Sequence, residues 1–230
     1  MADTPYLNEV SSTATLWCVK FACVVICILC LASPAVLCQE ATNAPATPTV
    51  PDLPDVNAHL LHLVIQDQWD RGNDMFSGRQ VRVPANLNVT ERDAERQAEV
   101  RKMLSEGKIS TGRGYYFAAL IFQHSSKSED LMLAHVLAVT AVTKENGVAK
   151  WMAAATMDRY LWSIKQPQVF GTQFQKDADQ KWTMQPYDRN AVSDSVRTSW
   201  CVVSLAEQGK ILKDFQNGGS LGSTQKPNCR

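Results

Sequence analysis

Ionisable side chains that could do chemistry stand at the edges of three apolar segments. Asp67 and Arg71 follow the run LLHLVIQ one helical turn apart, and His124 ends the run YYFAALIFQ. Asp158 and Arg159 interrupt a third run, WMAAATM. The helical neighbours of Asp158 are apolar, so its carboxylate is expected to face inward and to require a cation or several hydrogen-bond donors. If the three segments converge, all five side chains form one cluster.

Such a cluster has two interpretations. In the first, His124 is a general base, Asp158 or Asp67 orients it, and an arginine holds an anionic group. In the second, the same groups form an internal salt-bridge network that fixes the register of the helices. The sequence contains no motif for a nucleophile, a metal site or a phosphate loop, so we expect neither a metal nor another cofactor. The candidate catalytic residues are His124 and Asp158.

The segment PQVFGTQF, residues 167–174, begins just after the third apolar run. Its amide and hydroxyl side chains either line a cleft by hydrogen bonding or satisfy the backbone of their own loop. The candidate binding residues are therefore Asp67, Arg71, Gln123, Arg159, Gln168, Thr172 and Gln173.

Apolar periodicity predicts a mainly α-helical domain over residues 57–216, built from antiparallel, solenoid-like helical pairs with one small β-hairpin. Asn88 or Thr90 is expected to cap the second helix, whose mixed charges indicate a solvated outer face. The hairpin, or alternatively two extended arms, is expected from QVFGTQF and QKWTMQ. The expected helices cover residues 57–74, 90–107, 113–124, 129–145, 147–164 and 195–214.

The N-terminal part of the chain has the pattern of an export signal. Lys20 precedes an uncharged apolar run over residues 21–38, which is typical of a signal peptide or, if it is not cleaved, of a signal anchor. We therefore expect residues 1–38 to direct export to the periplasm or the medium, with membrane contact only through residues 16–38 if uncleaved. Residues 39–56 are a Pro/Ala/Thr-rich linker and residues 217–230 a disordered tail.

Cysteine and charge usage restrict the class of protein further. Five of the seven cysteines lie in or beside the leader, which leaves Cys201 and Cys229 either to pair in an oxidising compartment or to remain free thiols. The 23 basic and 23 acidic residues cancel, so the formal net charge is zero. Without a basic field to hold a polyanion, nucleic acid is not an expected partner.

The same segments carry a resemblance to a known family. Over most of residues 60–210 the chain resembles an uncharacterised bacterial family, domain of unknown function 6624, and DR followed by PQ.FGTQ is the most specific part. The resemblance implies a site without naming a reaction, and family members often have a histidine where this chain has Phe117. The matching runs are DQWDR (67–71), YYFAALIFQH (115–124), LAHVLAV (133–139), AKWMAAATMDRYL (149–161) and PQVFGTQF (167–174). The implied site residues are Gln123, His124, Asp158, Arg159, Gln168, Gly171, Thr172 and Gln173.

These observations favour an exported helical domain that acts as a binding or scaffold module for a peptide or protein partner. One alternative is a metal-independent hydrolase or transferase that uses His124 with a carboxylate. A structural protein of the envelope is a third possibility, since it would need only the anchor and the fold.

Overall fold

A computed structural model of the chain describes residues 51–219, which are mainly helical with one small antiparallel sheet. Seven helices lie in this part of the chain. They are α1 (Ala58–Trp69), α2 (Val89–Ser105), α3 (Gly112–Phe122), α4 (Ser128–Thr143), α5 (Ala149–Ser163), α6 (Asp194–Ser199) and α7 (Leu205–Gln216). The two strands are β1 (Gln175–Lys176) and β2 (Trp182–Thr183).

Side-chain caps fix where most of these helices begin. The side chains of Asn57, Asn88 and Thr111 accept hydrogen bonds from the first free backbone N–H groups of α1, α2 and α3. Ser193 and Ser204 do the same for α6 and α7. Of the two caps considered for α2, the structure uses Asn88.

Small residues allow α3, α4 and α5 to pack closely. α4 contacts both α3 and α5, and α1 and α2 also contact α3. Ala118, Ala134 and Ala153, one on each of the three helices, are completely buried. Large apolar side chains fill the space between α1 and this group, including Leu60, Val64 and Phe122, which are also completely buried.

Two predicted helices differ from the structure, and the predicted hairpin is confirmed in a short form. α1 ends at Trp69 rather than near residue 74, because the chain turns at Asp70 and Gly72 has a φ of 78°, which glycine adopts at little cost. The single helix expected over residues 195–214 is two helices, since Trp200 ends α6 and Cys201 has a φ of 61°. The hairpin forms, but it pairs only Gln175 with Thr183 and Lys176 with Trp182.

Buried polar groups connect the segment after α5 to the two C-terminal helices. The Tyr187 hydroxyl lies 2.9 Å from both Gln208 Oε1 and Arg197 Nη2, and 3.4 Å from the Phe170 carbonyl oxygen. The Gln208 amide donates to that same carbonyl at 2.6 Å. Tyr187 therefore links α6 and α7 to the loop at residue 170.

Several predictions concern residues outside the described range of 51–219. These are the signal or anchor at residues 1–38, most of the linker at 39–56 and the tail from residue 220 onward. Cys201 is buried and disulfide-bonded, and because Cys229 lies outside the described residues, their pairing stays a prediction. Within the described residues, no helix has both the length and the apolar character needed to cross a bilayer.

We predict that Gly112→Ala destabilises the domain by about 1–3 kcal/mol, because overpacking a close contact forces the backbone to shift. A Cβ at Gly112 would lie 2.5 Å from the Lys144 carbonyl oxygen, at the end of α4. Gly209→Ala in α7 is the matched control, since a Cβ there meets nothing within 4 Å and alanine is the better helix former. Urea denaturation of both variants and of the wild type measures the free energy of unfolding. Equal stability of the two variants would contradict the predicted packing of α3 on α4.

Candidate functional site

An ion-pair network joins α1 to α2. Arg71 contacts Asp67 at 2.8 Å and Asp93 at 2.6 Å. Arg96 contacts Asp70 and Asp93, both at 2.6 Å, and Arg92 contacts Asp70 at 2.6 Å. Three carboxylates thus face three guanidinium groups, so the charges of this network balance when all six are ionised.

Asp67 is the most deeply buried carboxylate of the network, with no exposed side-chain surface. One oxygen accepts from Arg71 and the other accepts from the Gln68 amide at 2.7 Å. Burial raises the pKa of Asp67 to about 6, while Arg71, Gln68 and Arg96 oppose the rise. The carboxyl group therefore takes up a proton more readily than an exposed aspartate.

His124 lies beside Asp67 but is not hydrogen-bonded to it. The distance from His124 Nε2 to Asp67 Oδ2 is 3.5 Å, and Nε2 is buried without a hydrogen-bond partner among the described residues. Burial, followed by the positive charges of Arg71, Arg159 and Arg96, lowers the pKa of His124 to about 2. The imidazole is consequently neutral at ordinary pH and a weak proton acceptor.

Arg159 is the cation of the predicted cluster that lacks a carboxylate. Within residues 51–219 no carboxylate lies within 4.0 Å of its guanidinium, and its one hydrogen bond is a 3.5 Å contact from Nη1 to the Gln123 carbonyl. Its Nε is buried and has no hydrogen-bond partner in the described part of the chain. Burial and the charge of Arg71 lower the pKa of Arg159, although a guanidinium remains protonated in proteins.

A cavity of about 620 Å³ opens next to these side chains. Arg71, His124 and Arg159 line it together with Lys165, an exposed cation just after α5. Its apolar lining comes from Leu131, Trp162 and Pro186, and its neutral polar lining from Gln123, Ser125, Ser126, Ser163, Gln173 and Gln175. Among residues 51–219, no acidic side chain lines this cavity, so the formal charge of its lining is positive.

Asp158 does not join the cluster, contrary to the pairing expected with His124 and an arginine. Its carboxylate is fully buried, as expected, but it accepts from the backbone N–H groups of Val169, Phe170 and Thr172 at 2.8–3.0 Å. The Thr172 hydroxyl adds a fourth bond at 2.7 Å. Burial raises the pKa of Asp158, and these four donors oppose the rise. Asp158 therefore anchors the loop after α5 and does not line the cavity.

The remaining predicted binding residues divide between the loop and the cavity. Gln168 is fully buried and bonds to the backbone of Gln173 and Met184, so its amide satisfies the loop itself. Thr172 bonds to Asp158, as described above. Gln123 and Gln173 line the cavity, although the Gln173 amide also contacts Thr172 Oγ1 at 2.9 Å. Phe117 is buried in the core and does not line this cavity. This is the position at which a histidine was expected from the resemblance to domain of unknown function 6624.

Sequence reasoning missed the contribution of α2. Its mixed charges predicted a solvated face, whereas Asp93, Arg96 and Gln97 are buried against α1 and the turn after α3. The spacing of Asp93 and Arg96 at i and i+3 was a usable signal only once Asp67 and Asp70 were known to lie opposite. Lys165 and Trp162 were also missed as lining residues.

Comparison of the chain with known protein families, with characterised proteins and with solved structures gives no match. The resemblance to domain of unknown function 6624 stays a prediction.

We predict that Asp158→Ala lowers the free energy of unfolding by at least about 3 kcal/mol, because three backbone N–H groups lose a buried acceptor. Thr172→Val removes one of the four bonds together with the acceptor of the Gln173 amide, and is expected to cost about 1–2 kcal/mol. Chemical denaturation of both variants tests the ranking. A cost for Asp158→Ala no larger than that for Thr172→Val would show that the anchor is unimportant.

A second prediction concerns pH and the neighbouring groups Asp67 and His124. In the unfolded chain the pKa of Asp67 is 3.8 and that of His124 is 6.5. The unfolded pair therefore binds one proton between about pH 4 and 6, on the imidazole. The folded pair also binds one proton in this range, on Asp67. The pair therefore adds no pH dependence to the free energy of unfolding between about pH 4 and 6. Below about pH 4 the unfolded pair binds two protons and the folded pair one, so stability falls as the pH falls.

His124→Gln removes this compensation. Only the raised pKa of Asp67 then remains, so stability of the variant should fall by up to about 3 kcal/mol, relative to wild type, as the pH rises from about 4 to 6. Urea unfolding of both proteins at intervals of pH measures the difference. Parallel curves for wild type and variant would contradict the assigned protonation.

Proposed function

We propose that the domain is a binding module whose cavity receives an anionic group of its ligand. The observation that carries the proposal is Arg159, a half-buried side chain whose Nε is buried and whose guanidinium faces no carboxylate in residues 51–219. Arg71, the other arginine that lines the cavity, differs because it contacts both Asp67 and Asp93.

The free energy of an unpaired buried charge supports this proposal. Removing a charged group from water costs several kcal/mol unless an opposite charge or hydrogen bonds offset the loss. Arg159 has one long hydrogen bond as compensation. A ligand carboxylate or phosphate would supply the missing charge, and hydrogen bonds to charged groups stabilise by about 1.5–3 kcal/mol.

The size and lining of the cavity favour an organic ligand over a simple inorganic anion. A volume of about 620 Å³ lies within the range of small-molecule and peptide-binding pockets. Trp162, Leu131 and Pro186 offer apolar contacts beside the cations. The ligand that fits this lining has an anionic group for Arg159 and Lys165 and an apolar part next to it.

The alternative function, a hydrolase or transferase that uses His124, has weaker support. The lowered pKa of His124 makes it a poor base, and its 3.5 Å separation from Asp67 lacks hydrogen-bond geometry. Asp158, the other candidate catalytic residue, is occupied by the backbone of residues 169–172. A binding role needs neither residue to transfer a proton.

The setting of this module is also part of the proposal. We infer that residues 1–38 export the domain, as a signal peptide or an anchor, and that its helices form antiparallel, solenoid-like pairs that present the cavity at one side. The short connections between α3, α4 and α5 agree with such pairing. A scaffold of this kind suits recognition of a peptide or protein partner outside the cytoplasm.

We predict that N-acetyl-glutamate amide at tens of millimolar raises the melting temperature of the full chain by about 2–4 °C, as expected for a ligand that stabilises by about 1 kcal/mol. The chain is kept in a mild neutral detergent because of its apolar residues 21–38. N-acetyl-glutamine amide and an equal concentration of sodium chloride are the ligand controls. Arg159→Met should abolish the rise.

Arg79→Met is the matched control variant, because it removes the same charge from a side chain that is 75% exposed and does not line the cavity. It should keep the response of the wild type. An equal rise with the glutamine compound, or a rise retained in Arg159→Met, would refute anion binding at this cavity.

A further inference from the structure

A place for one exchangeable proton lies behind the cationic cavity, the cavity that Arg71, His124, Arg159 and Lys165 line. Asp67 Oδ2 and His124 Nε2 lie 3.5 Å apart there. The Asp67 side chain has no exposed surface, and His124 Nε2 is buried without a hydrogen-bond partner in residues 51–219. With an ionised carboxylate and a neutral imidazole protonated on Nδ1, two buried acceptors face each other. One added proton would turn this pair into a donor and an acceptor, which removes the cost of an unsatisfied buried group.

The proton site adjoins the cavity through two lining residues, Arg71 and His124. Arg71 Nη1 contacts Asp67 Oδ1 at 2.8 Å, and His124 lies beside Oδ2. An anion in the cavity therefore adds a negative charge one side chain away from a buried carboxylate. A nearby like charge disfavours the ionised form of a carboxyl group, and salt screens a buried pair of charges weakly. The bound anion thus favours protonation of Asp67.

The other charged groups around Asp67 come from α2 and α5 as well as from its own helix. On α2, Arg96 Nε lies 3.8 Å from Asp67 Oδ1, and Asp93 shares the guanidinium of Arg71 with Asp67. Arg159 of α5 acts on the other side of the pair, where its charge helps to lower the pKa of the imidazole. When Asp67 is protonated, Arg71 keeps its 2.6 Å contact with Asp93. Arg71 therefore stays paired with a carboxylate in both protonation states.

We infer that binding of an anion in the cationic cavity takes up a proton from the solvent. The proton binds to Asp67 Oδ2, and the resulting O–H donates to the lone pair of His124 Nε2, while no other covalent bond forms or breaks. This inference rests on the proposed function, because the bound anion is the same. Coupling between two binding events is reciprocal, so protonation strengthens the binding of the anion by the same factor.

The sign and the pH range of the effect follow from this coupling. In the free domain the pKa of Asp67 is about 6. A bound anion raises it further, and a rise of about one unit is typical of one nearby like charge. The affinity for the anion is therefore highest below about pH 6, and it falls by about five- to tenfold as the pH rises from about 5.5 to 8. A ligand carboxylate with an ordinary pKa of about 4.3 stays ionised throughout this range.

Proton counting on the wild-type full chain tests the inference without a variant. The chain, in neutral detergent and unbuffered sodium chloride, is held at about pH 6.5 while N-acetyl-glutamate amide is added, and the acid needed to hold the pH is recorded. We expect the uptake to approach about half a proton per chain at saturation. N-acetyl-glutamine amide, the uncharged control, should cause no uptake. Melting temperatures against ligand concentration at about pH 5.5 and 8 give the change in Kd.

Asp67→Asn tests where the proton binds, because a neutral amide imitates the protonated carboxyl group and can donate to the same imidazole nitrogen. At about pH 8 the variant should bind N-acetyl-glutamate amide about fivefold more tightly than the wild type, and it should lose both the proton uptake and the pH dependence. A merely structural role of Asp67 predicts weaker binding instead.

Asp70→Asn is the matched control variant. It removes the same charge from the same ion-pair network, but the Asp70 carboxylate contacts Arg92 and Arg96 and does not line the cavity. This variant should keep the proton uptake and the fall in affinity between about pH 5.5 and 8.

The failures of the two proposals are distinguishable. If N-acetyl-glutamate amide stabilises the chain through Arg159 but causes no proton uptake, or the uptake persists in Asp67→Asn, the proton site is wrong and the anion site stands. If no response depends on Arg159 at either pH, both proposals are overturned.

Discussion

The carboxylate of Asp158 determines the path of the chain after α5. Its bonds to Val169, Phe170 and Thr172 turn the backbone back toward the helices, with Gly171 at a φ of 74°. A Cβ on Gly171 would lie 2.6 Å from the ring of Tyr187, so the close approach also requires glycine. The residues that continue from this loop, including Gln173, supply one wall of the cationic cavity. The cavity therefore depends on a buried carboxylate that does not line it.

Charge balance distinguishes the framework of the site from the part that is open to a ligand. Between α1 and α2 the acidic and basic side chains match, and each guanidinium there contacts at least one carboxylate. Arg159 sits beyond this network, repelled by Arg71 and with no carboxylate of the described residues within 4.0 Å. The network holds Arg71 in place, while the unmatched charge of Arg159 is the attraction for an anion in the proposed function. Such a division lets the site be rigid before the ligand arrives.

Local patterns allowed much of the helical framework to be predicted, and long-range contacts explain the differences. Apolar periodicity and capping residues located α1 to α5, and the inward face of Asp158 followed from its apolar helical neighbours. The partner of Asp158 could not be predicted, because a backbone amide leaves no mark in the sequence, whereas an arginine does. The buried face of α2 was not predicted because its partners are distant in the sequence. Asp93 and Arg96 have the pattern of exposed residues, and only the tertiary structure places Asp70 next to Arg96. The uncompensated charge of Arg159 is likewise a property of the tertiary structure.

The contacts of Tyr187 bear on how small a working fragment of this protein can be. Its hydroxyl joins Arg197 of α6 and Gln208 of α7 to the loop whose other side is fixed by Asp158. A truncation before α7 would leave that hydroxyl and the Phe170 carbonyl without the Gln208 amide, and the wall of the cavity without its support. The C-terminal helices, although they lie outside the cavity lining, thus belong to the smallest fragment that keeps this wall, which extends at least to Gln216.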